Sequence, residues 1–376
     1  PSRPWPCSWR TKRSISTPRC RPRTGRASAK GVAAWTLSRN VEFRLGLSAT
    51  PIFGYGAEIW NIYECMGSDV LGSFADFARE WLADDRRVGD PDALGSFLRE
   101  QHVFLRRLKA DVGQQMPPVN VIHEIIESDE GALKSIDAIA RSLATRAMSG
   151  SFVERGQAGR ELDMMVRQAT GIGKARYVAA YARVLLDAGT PVILAGWHRA
   201  VYEHWLRDLA EYNPVMYTGT ESVTQKNEAV RAFLAGESNL FIISLRSGAG
   251  LDGLQQRCST IIFGELDWSK KIHEQLIGRL DREGQEEQVM AIYLTCEDGS
   301  DPPILDVLAV KESQSRGIVD PGAAFEVKYS DDSRVKALAK AFLSKRELTE
   351  LADEGRRQAA LERDPDTIEM FEEAVA

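Results

Sequence analysis

"KARYVAAYARVLLDAGTPVILAGW", Lys174 to Trp197, is the stretch that decides the fold. Its first part reads as an amphipathic helix, and "PVILAGW" reads as a short, almost wholly apolar strand. The same alternation runs on to Thr295. Helix "AVYEHWLRDLAEY" leads to strand "PVMYTG", and helix "TQKNEAVRAFLAG" leads to strands "NLFIISL" and "CSTIIFGEL". Helix "SKKIHEQLIGRLDR" then leads to strand "QVMAIYLT". Near-continuous apolar strands separated by amphipathic helices predict a parallel sheet covered on both faces. Such sheets bind ligands beyond the carboxyl ends of their strands. The segments at those ends are "GWHRA", "TGTES", "SLRSGAG" and "GELDWSK".

Upstream, "FRLGLSA" (43–49) has the pattern of a buried strand delivering a loop, and helical patterns cover 58–66 and 95–109. "VNVIHEII" (119–126) alternates as a strand does. "GALKSIDAIARSLATRAMSG" places Leu133, Ile136, Ile139, Ala140 and Leu143 on one helical face, and "ERGQAGRELDMM" (154–165) reads as a flexible connector. After about residue 300 the pattern is acidic and helical. The expected divisions are therefore 1–30, 31–127, 128–170, 171–300 and 301–376.

The composition is that of an ordinary globular chain: 376 residues, 43% hydrophobic and 27% charged. No apolar run approaches the roughly 18 residues of a membrane span, so no membrane partner is expected. Five cysteines without metal spacing predict reduced thiols in a cytoplasmic or nuclear protein and no metal site. The net charge of −6 is uneven. Residues 1–30 carry nine Lys/Arg and no acid, which suits a basic arm, a transit peptide or a segment read in a shifted frame. The remainder is acidic, which weighs against indiscriminate nucleic-acid binding and leaves room for a local basic groove.

Three blocks carry chemistry. In "SLRSGAGLDGLQ" (244–255) a Gly-rich loop after a strand would let backbone N–H groups approach phosphate oxygens, though it would also serve as a plain turn. In "QLIGRLDREGQ" (275–285) Arg279 and Arg282 lie three apart, so on a helix both forks share a face suited to phosphate. A solvated helix face is the plain alternative. Ser48 and Thr50 in "RLGLSATPI" (44–52) suit a cap as well as a functional loop, and Trp268 suits a packed aromatic.

In order and spacing, these blocks and "FLRRLKADVGQQMPPV" (104–119) resemble the SWI/SNF-type family of helicase-like, DNA-dependent ATPases. The resemblance covers roughly Arg44 to Thr295. It implies RecA-like α/β lobes: the end of a first lobe, a helical insertion, a complete second lobe and a helical tail. It also implies ATP with Mg²⁺, duplex DNA as partner, and Arg279 and Arg282 as arginine fingers that stabilise charge on the transferring phosphoryl group. Gly248, Gly250, Asp252 and Gln285 would face nucleotide. Ser48, Ala49, Thr50, Asp267, Trp268 and Gln275 would couple nucleotide to DNA. Thr218, Gly219, Ser244 and Arg246 would meet the DNA backbone.

Asp252 departs from the usual family form, and Asp281 stands where a His is common. "SDEGALK" (128–134) and "ADEGRR" (352–357) imitate the family's magnesium-binding acid box, but they follow the Ser-Ala-Thr block instead of preceding it. "GIGKARY" (171–177) imitates a phosphate loop without matching G-x-x-x-x-G-K-[ST]. The phosphate loop and acid box are accordingly expected outside these residues, leaving this portion unable to hydrolyse ATP alone. The alternatives are a non-catalytic DNA- or partner-binding module and the motor subunit of a restriction or helicase system.

Overall fold

The computed structural model describes residues 29–48, 51–52, 55–107, 117–149, 151–247, 251–308, 338 and 342–343. The chain forms two compact units, residues 1–107 with 310–328 and residues 108–309 with 329–376. Each is described by itself.

The first unit contains α1 (Ala29–Arg39), α2 (Glu58–Met66), α3 (Phe74–Trp81) and α4 (Pro91–Glu100). Its helices begin and end where local chemistry dictates. Ser73 caps α3 by accepting from Asp76 N, and Asp90 caps α4 by accepting from Ala93 N with Pro91 in the first turn. Gly67 ends α2 in the left-handed conformation, which a side chain would strain. Ile52, Ile59, Tyr63, Phe77, Leu94 and Leu98 meet in a small core. The run 43–48 departs from its reading as a buried strand. It forms none, and Phe43, Leu45 and Leu47 are at least 80% exposed. An apolar run becomes a buried strand only where a neighbour accepts its backbone hydrogen bonds, and no described residue does so here. Cys65 is disulfide-bonded, against the expectation of reduced thiols, because spacing along a chain does not say which cysteines meet in space. Cys258 and Cys296 are free and buried.

The second unit is built on six parallel strands: β1 (Asn120–Ile125), β2 (Val192–Gly196), β3 (Val215–Tyr217), β4 (Leu240–Ser244), β5 (Thr260–Phe263) and β6 (Met290–Thr295). Their order is β1-β6-β5-β2-β4-β3. Between them run α5 (Glu130–Ser149), α6 (Phe152–Asp187), α7 (Arg199–Asp208), α8 (Val223–Leu234) and α9 (Lys270–Ile277). Strand alternation divides the core in two. Ile193, Phe241, Ile243, Ile261, Phe263 and Ala291 pack with α5, α8, α9 and the first half of α6. Leu194, Leu240, Ile242, Ile262, Ile292 and Leu294 pack with α7 and the second half of α6.

Two sequence expectations change here. β1 was assigned to the segment 31–127, yet it pairs in register with β6, Val121 opposite Ala291, and completes the second unit's sheet. The expected connector at 154–165 is helix, part of the 36 residues of α6. Ala158, Leu162 and Val166 bury themselves there against the sheet, and this packing outweighs the poor helix propensity of Gly156 and Gly159. α6 also runs unbroken through the division expected at 170/171.

Candidate functional site

All six strands being parallel, their carboxyl ends share one edge, and the middle of α6 lies against it. Three long polar side chains of α6 reach the strand-end segments. Asp163 accepts the indole N–H of Trp268 at 2.6 Å, Arg167 donates to Leu266 O at 2.7 Å, and Lys174 donates to Leu294 O at 2.8 Å. The approach is close enough to require glycine: a Cβ on Gly171 would stand 2.8 Å from Glu265 Oε1 and 2.7 Å from Val201 Cγ2. "GIGKARY" is thus explained by helix–edge packing.

Glu265, the second residue after β5, is buried. Its Oε2 accepts the backbone N–H groups of Trp197 (2.6 Å) and His198 (2.9 Å), and Oε1 lies 2.6 Å from His198 Nδ1. Burial alone would raise this carboxyl's pKa; the hydrogen bonds and charge from His198 and the two backbone donors outweigh it and hold the pKa below the usual range. Two residues on, Asp267 Oδ2 takes Arg246 Nε and Nη2 at 3.1 and 2.8 Å, while its Oδ1 accepts from Ser269 N at 2.9 Å. Asp267 N–H donates to His273 Nε2 at 3.0 Å, which puts the imidazole proton on Nδ1. Burial pushes the His273 pKa down to about 4.

The expected site residues separate into groups. Arg246 is half-exposed at the end of β4, beside the buried Ser244. Asp267 and Trp268 are buried, and the hydrogen bond to Asp163 makes Trp268 a packed aromatic as well as part of the edge. Gln275 is exposed on α9. Arg279 and Arg282 do not sit on the helix as their spacing suggested, because α9 ends at Ile277. From the turns that follow they converge on one loop. Arg279 Nη1 donates to Leu251 O at 3.0 Å, and Arg282 Nη1 pairs with Asp252 Oδ1. Arg279 Nε is buried without a partner, and burial followed by the neighbouring Arg282 charge lowers its pKa.

Gln285 is occupied in holding backbone, its amide donating to Cys258 O at 2.9 Å and accepting from Glu287 N at 3.0 Å. Thr218 is buried and engaged. Its N–H and hydroxyl both donate to the carboxylate of Glu221, which Thr220 also meets at 2.8 Å. Burial would raise the Glu221 pKa, but these donors win and lower it. Gly219 is exposed beside it, and Ser48 is exposed in the first unit. Ala49, Thr50, Gly248 and Gly250 lie outside the described residues. Sequence reading missed Glu265, His198, Trp197 and His273. The signal available was position alone, since the first three stand within the quoted strand-end segments.

A parallel α/β sheet with helices on both faces, and with arginines at its strand-end edge, is the architecture expected of a RecA-like lobe. Comparison with known proteins gives the class a relation. The chain is similar to ATPases of the SWI/SNF type. The SWI/SNF-related matrix-associated actin-dependent regulator of chromatin subfamily A-like protein 1 of Drosophila melanogaster is 24% identical over 285 residues, 71% of this chain and 36% of that protein. The probable ATP-dependent DNA helicases CHR12 and CHR23 of Arabidopsis thaliana are 23% and 25% identical, over 78% and 74% of this chain. The chain spans about a third of the length of these curated relatives, 36%, 30% and 29% respectively. Among solved structures, the C-terminal part of the Fun30 ATPase domain matches at 12% identity and TM-score 0.44, over 63% of this chain and 96% of that one. The Sulfolobus solfataricus SWI2/SNF2 ATPase core in complex with dsDNA matches at 16% and 0.45, over 70% and 60%. No family model matches the chain.

Proposed function

We propose that this chain is the C-terminal portion of an ATP-dependent translocase on duplex DNA. Its second unit supplies the arginine fingers and part of the DNA-backbone contact. The observation that carries the reading is the convergence of Arg279 and Arg282 on Leu251 and Asp252, immediately after the Gly-rich loop. Arg279 has a buried Nε with no protein acceptor, so an anion delivered there would complete its hydrogen bonding. Arg282 would give up an ion pair with an exposed carboxylate, worth about 1 kcal/mol or less, while its Nε stays bonded to Gly278 O at 3.1 Å. Both side chains thereby keep donors that could meet charge developing on a phosphoryl group. ATP with Mg²⁺ supplies that group when bound. Arg279 and Arg282 would orient and stabilise it, and Asp252 would be released to a ribose hydroxyl. The phosphate loop and acid box would come from sequence other than residues 1–376, so hydrolysis by this portion alone is expected at background.

The test is DNA-stimulated hydrolysis by a longer form that carries a phosphate loop. Arg279→Ala and Arg282→Ala should each lower kcat by at least about 10³-fold, the scale of an arginine finger, with DNA affinity nearly unchanged. Unaltered turnover in both variants would reject the finger assignment. Strong hydrolysis by residues 1–376 alone would reject the placement of the phosphate loop elsewhere. A module that binds DNA or a partner without catalysis is the second reading. It is favoured by the lack of a G-x-x-x-x-G-K-[ST] motif in these 376 residues.

A further inference from the structure

We propose that Glu265 and Trp197 are positioning residues for Arg246, together setting its guanidinium at the angle in which it can receive a DNA phosphate. The inference rests on the reading of Arg246 as a backbone contact. Arg246 leaves β4 with its side chain 51% exposed and would ordinarily sample many rotamers. Here two neighbours restrict it. Asp267 holds one edge through Nε and Nη2, and the Trp197 ring lies under the guanidinium with Cζ 5.0 Å from its centroid. Trp197 is itself 36% exposed, so the stacked pair stands at the surface. The donors these contacts leave unused are those of Nη1, enough for one phosphate oxygen.

These two restraints come from different strands. Trp197 follows β2 and Asp267 follows β5, so their separation determines where Arg246 can lie. The last backbone link between the strands, Gly264 N–H to Ala195 O at 3.0 Å, precedes both side chains. Beyond it, the described ties between the two loops are those that end on the Glu265 carboxylate: Trp197 N, His198 N and His198 Nδ1. The carboxylate cannot shift toward α6, because Gly171 packs against it. Glu265 therefore fixes the Trp197 backbone relative to Asp267, and the Arg246 geometry follows from that.

The experiment is duplex-DNA binding by the full 376-residue chain, measured by fluorescence anisotropy across a salt series. The variants are Arg246→Ala, Glu265→Gln, Trp197→Leu and the two doubles with Arg246→Ala. Loss of one phosphate contact lowers the log–log salt slope by about 0.9, so wild type should weaken about threefold more than Arg246→Ala between 50 and 200 mM salt. Glu265→Gln and Trp197→Leu should each show the Arg246→Ala slope, and each double should be no worse than Arg246→Ala alone. A merely structural role would lower affinity alike at all salt concentrations and would add to Arg246→Ala, and either result overturns the proposal. Trp197→Leu decides the question should Glu265→Gln fail to melt cooperatively. If Arg246→Ala leaves both affinity and slope unchanged, the backbone-contact reading itself fails, which is a different result from additivity.

Discussion

At the scale of single residues, burial and hydrogen bonding together decide which groups at the edge of the second unit carry charge. His273 is fully buried against Phe263 and Tyr293, with Nε2 committed as an acceptor to Asp267 N–H and Nδ1 without a partner. Taking up a proton would turn that acceptor into a donor facing a donor. Desolvation lowers its pKa first, the positive charges of Arg167 and Lys270 lower it further, and Asp267 only partly opposes them. With a folded value of about 4 against 6.5 unfolded, the unfolded chain binds more protons throughout the interval between. Stability from this group is therefore complete above about pH 6.5 and is lost as pH falls toward 4, by about 3 kcal/mol in all. Urea midpoints at pH 7.5, 5.5 and 4.5 should fall steeply for wild type and less for His273→Gln, whose amide oxygen still serves Asp267. Equal slopes would assign the acid sensitivity to other groups. None of this was legible from the chain, where His273 is one polar residue in a helical pattern. Arg246 and Asp267 stand in segments that follow apolar strands, and the family resemblance gives them expected roles, but Glu265 in the same segments needed the spatial neighbour Trp197 to acquire one.

At the scale of elements, strands were easier to read than their partners. A parallel strand covered on both faces must be apolar throughout, so β2, β4, β5 and β6 stand out as runs. β1 alternates, as suits an edge strand, and nothing local says that its neighbour is β6, some 170 residues later. α6 was harder still. Gly156, Gly159, Gly171 and Gly173 each lower helix propensity by about 1 kcal/mol relative to alanine, and tertiary contacts overcome that sum. One of those contacts lends itself to measurement. Lys174, wholly buried on α6, places Nζ 2.5 Å from Asp301 Oδ2 and 2.8 Å from Leu294 O. Asp301 also accepts from Cys296 N at 3.2 Å. The pair thus links α6, the end of β6 and the helical residues 301–308. Lys174→Met should cost about 3–5 kcal/mol, because it strands a buried carboxylate. Lys174→Met combined with Asp301→Leu should recover much of that loss in urea unfolding. A double variant as unstable as the two losses summed would show that the charges do not stabilise each other.

At the scale of the whole molecule, the two units differ in how much core each can bring to its own stability. Among the described residues, the first has one small cluster around Phe77 and Leu98, whereas the second has an apolar cluster on each face of a six-stranded sheet. The denaturant slope grows with the surface a unit buries, and a smaller unit buries a smaller fraction of its chain's surface, so its stability falls off faster than its slope. The first unit should therefore open at lower urea, and with a smaller slope, than the second. Hydrogen exchange followed by mass spectrometry tests this directly. Peptides within 58–100 should lose protection at a lower urea concentration than peptides within 192–196, 240–244 and 260–263. A single midpoint for both sets would mean that the units unfold as one. The functional consequence is specific, because Arg246, Asp267, Glu265, Arg279 and Arg282 all belong to the second unit. At a urea concentration between the two midpoints, the part of duplex binding proposed for Arg246 should persist. If that part disappears together with protection of 58–100, the proposed DNA contact cannot be assigned to the second unit alone.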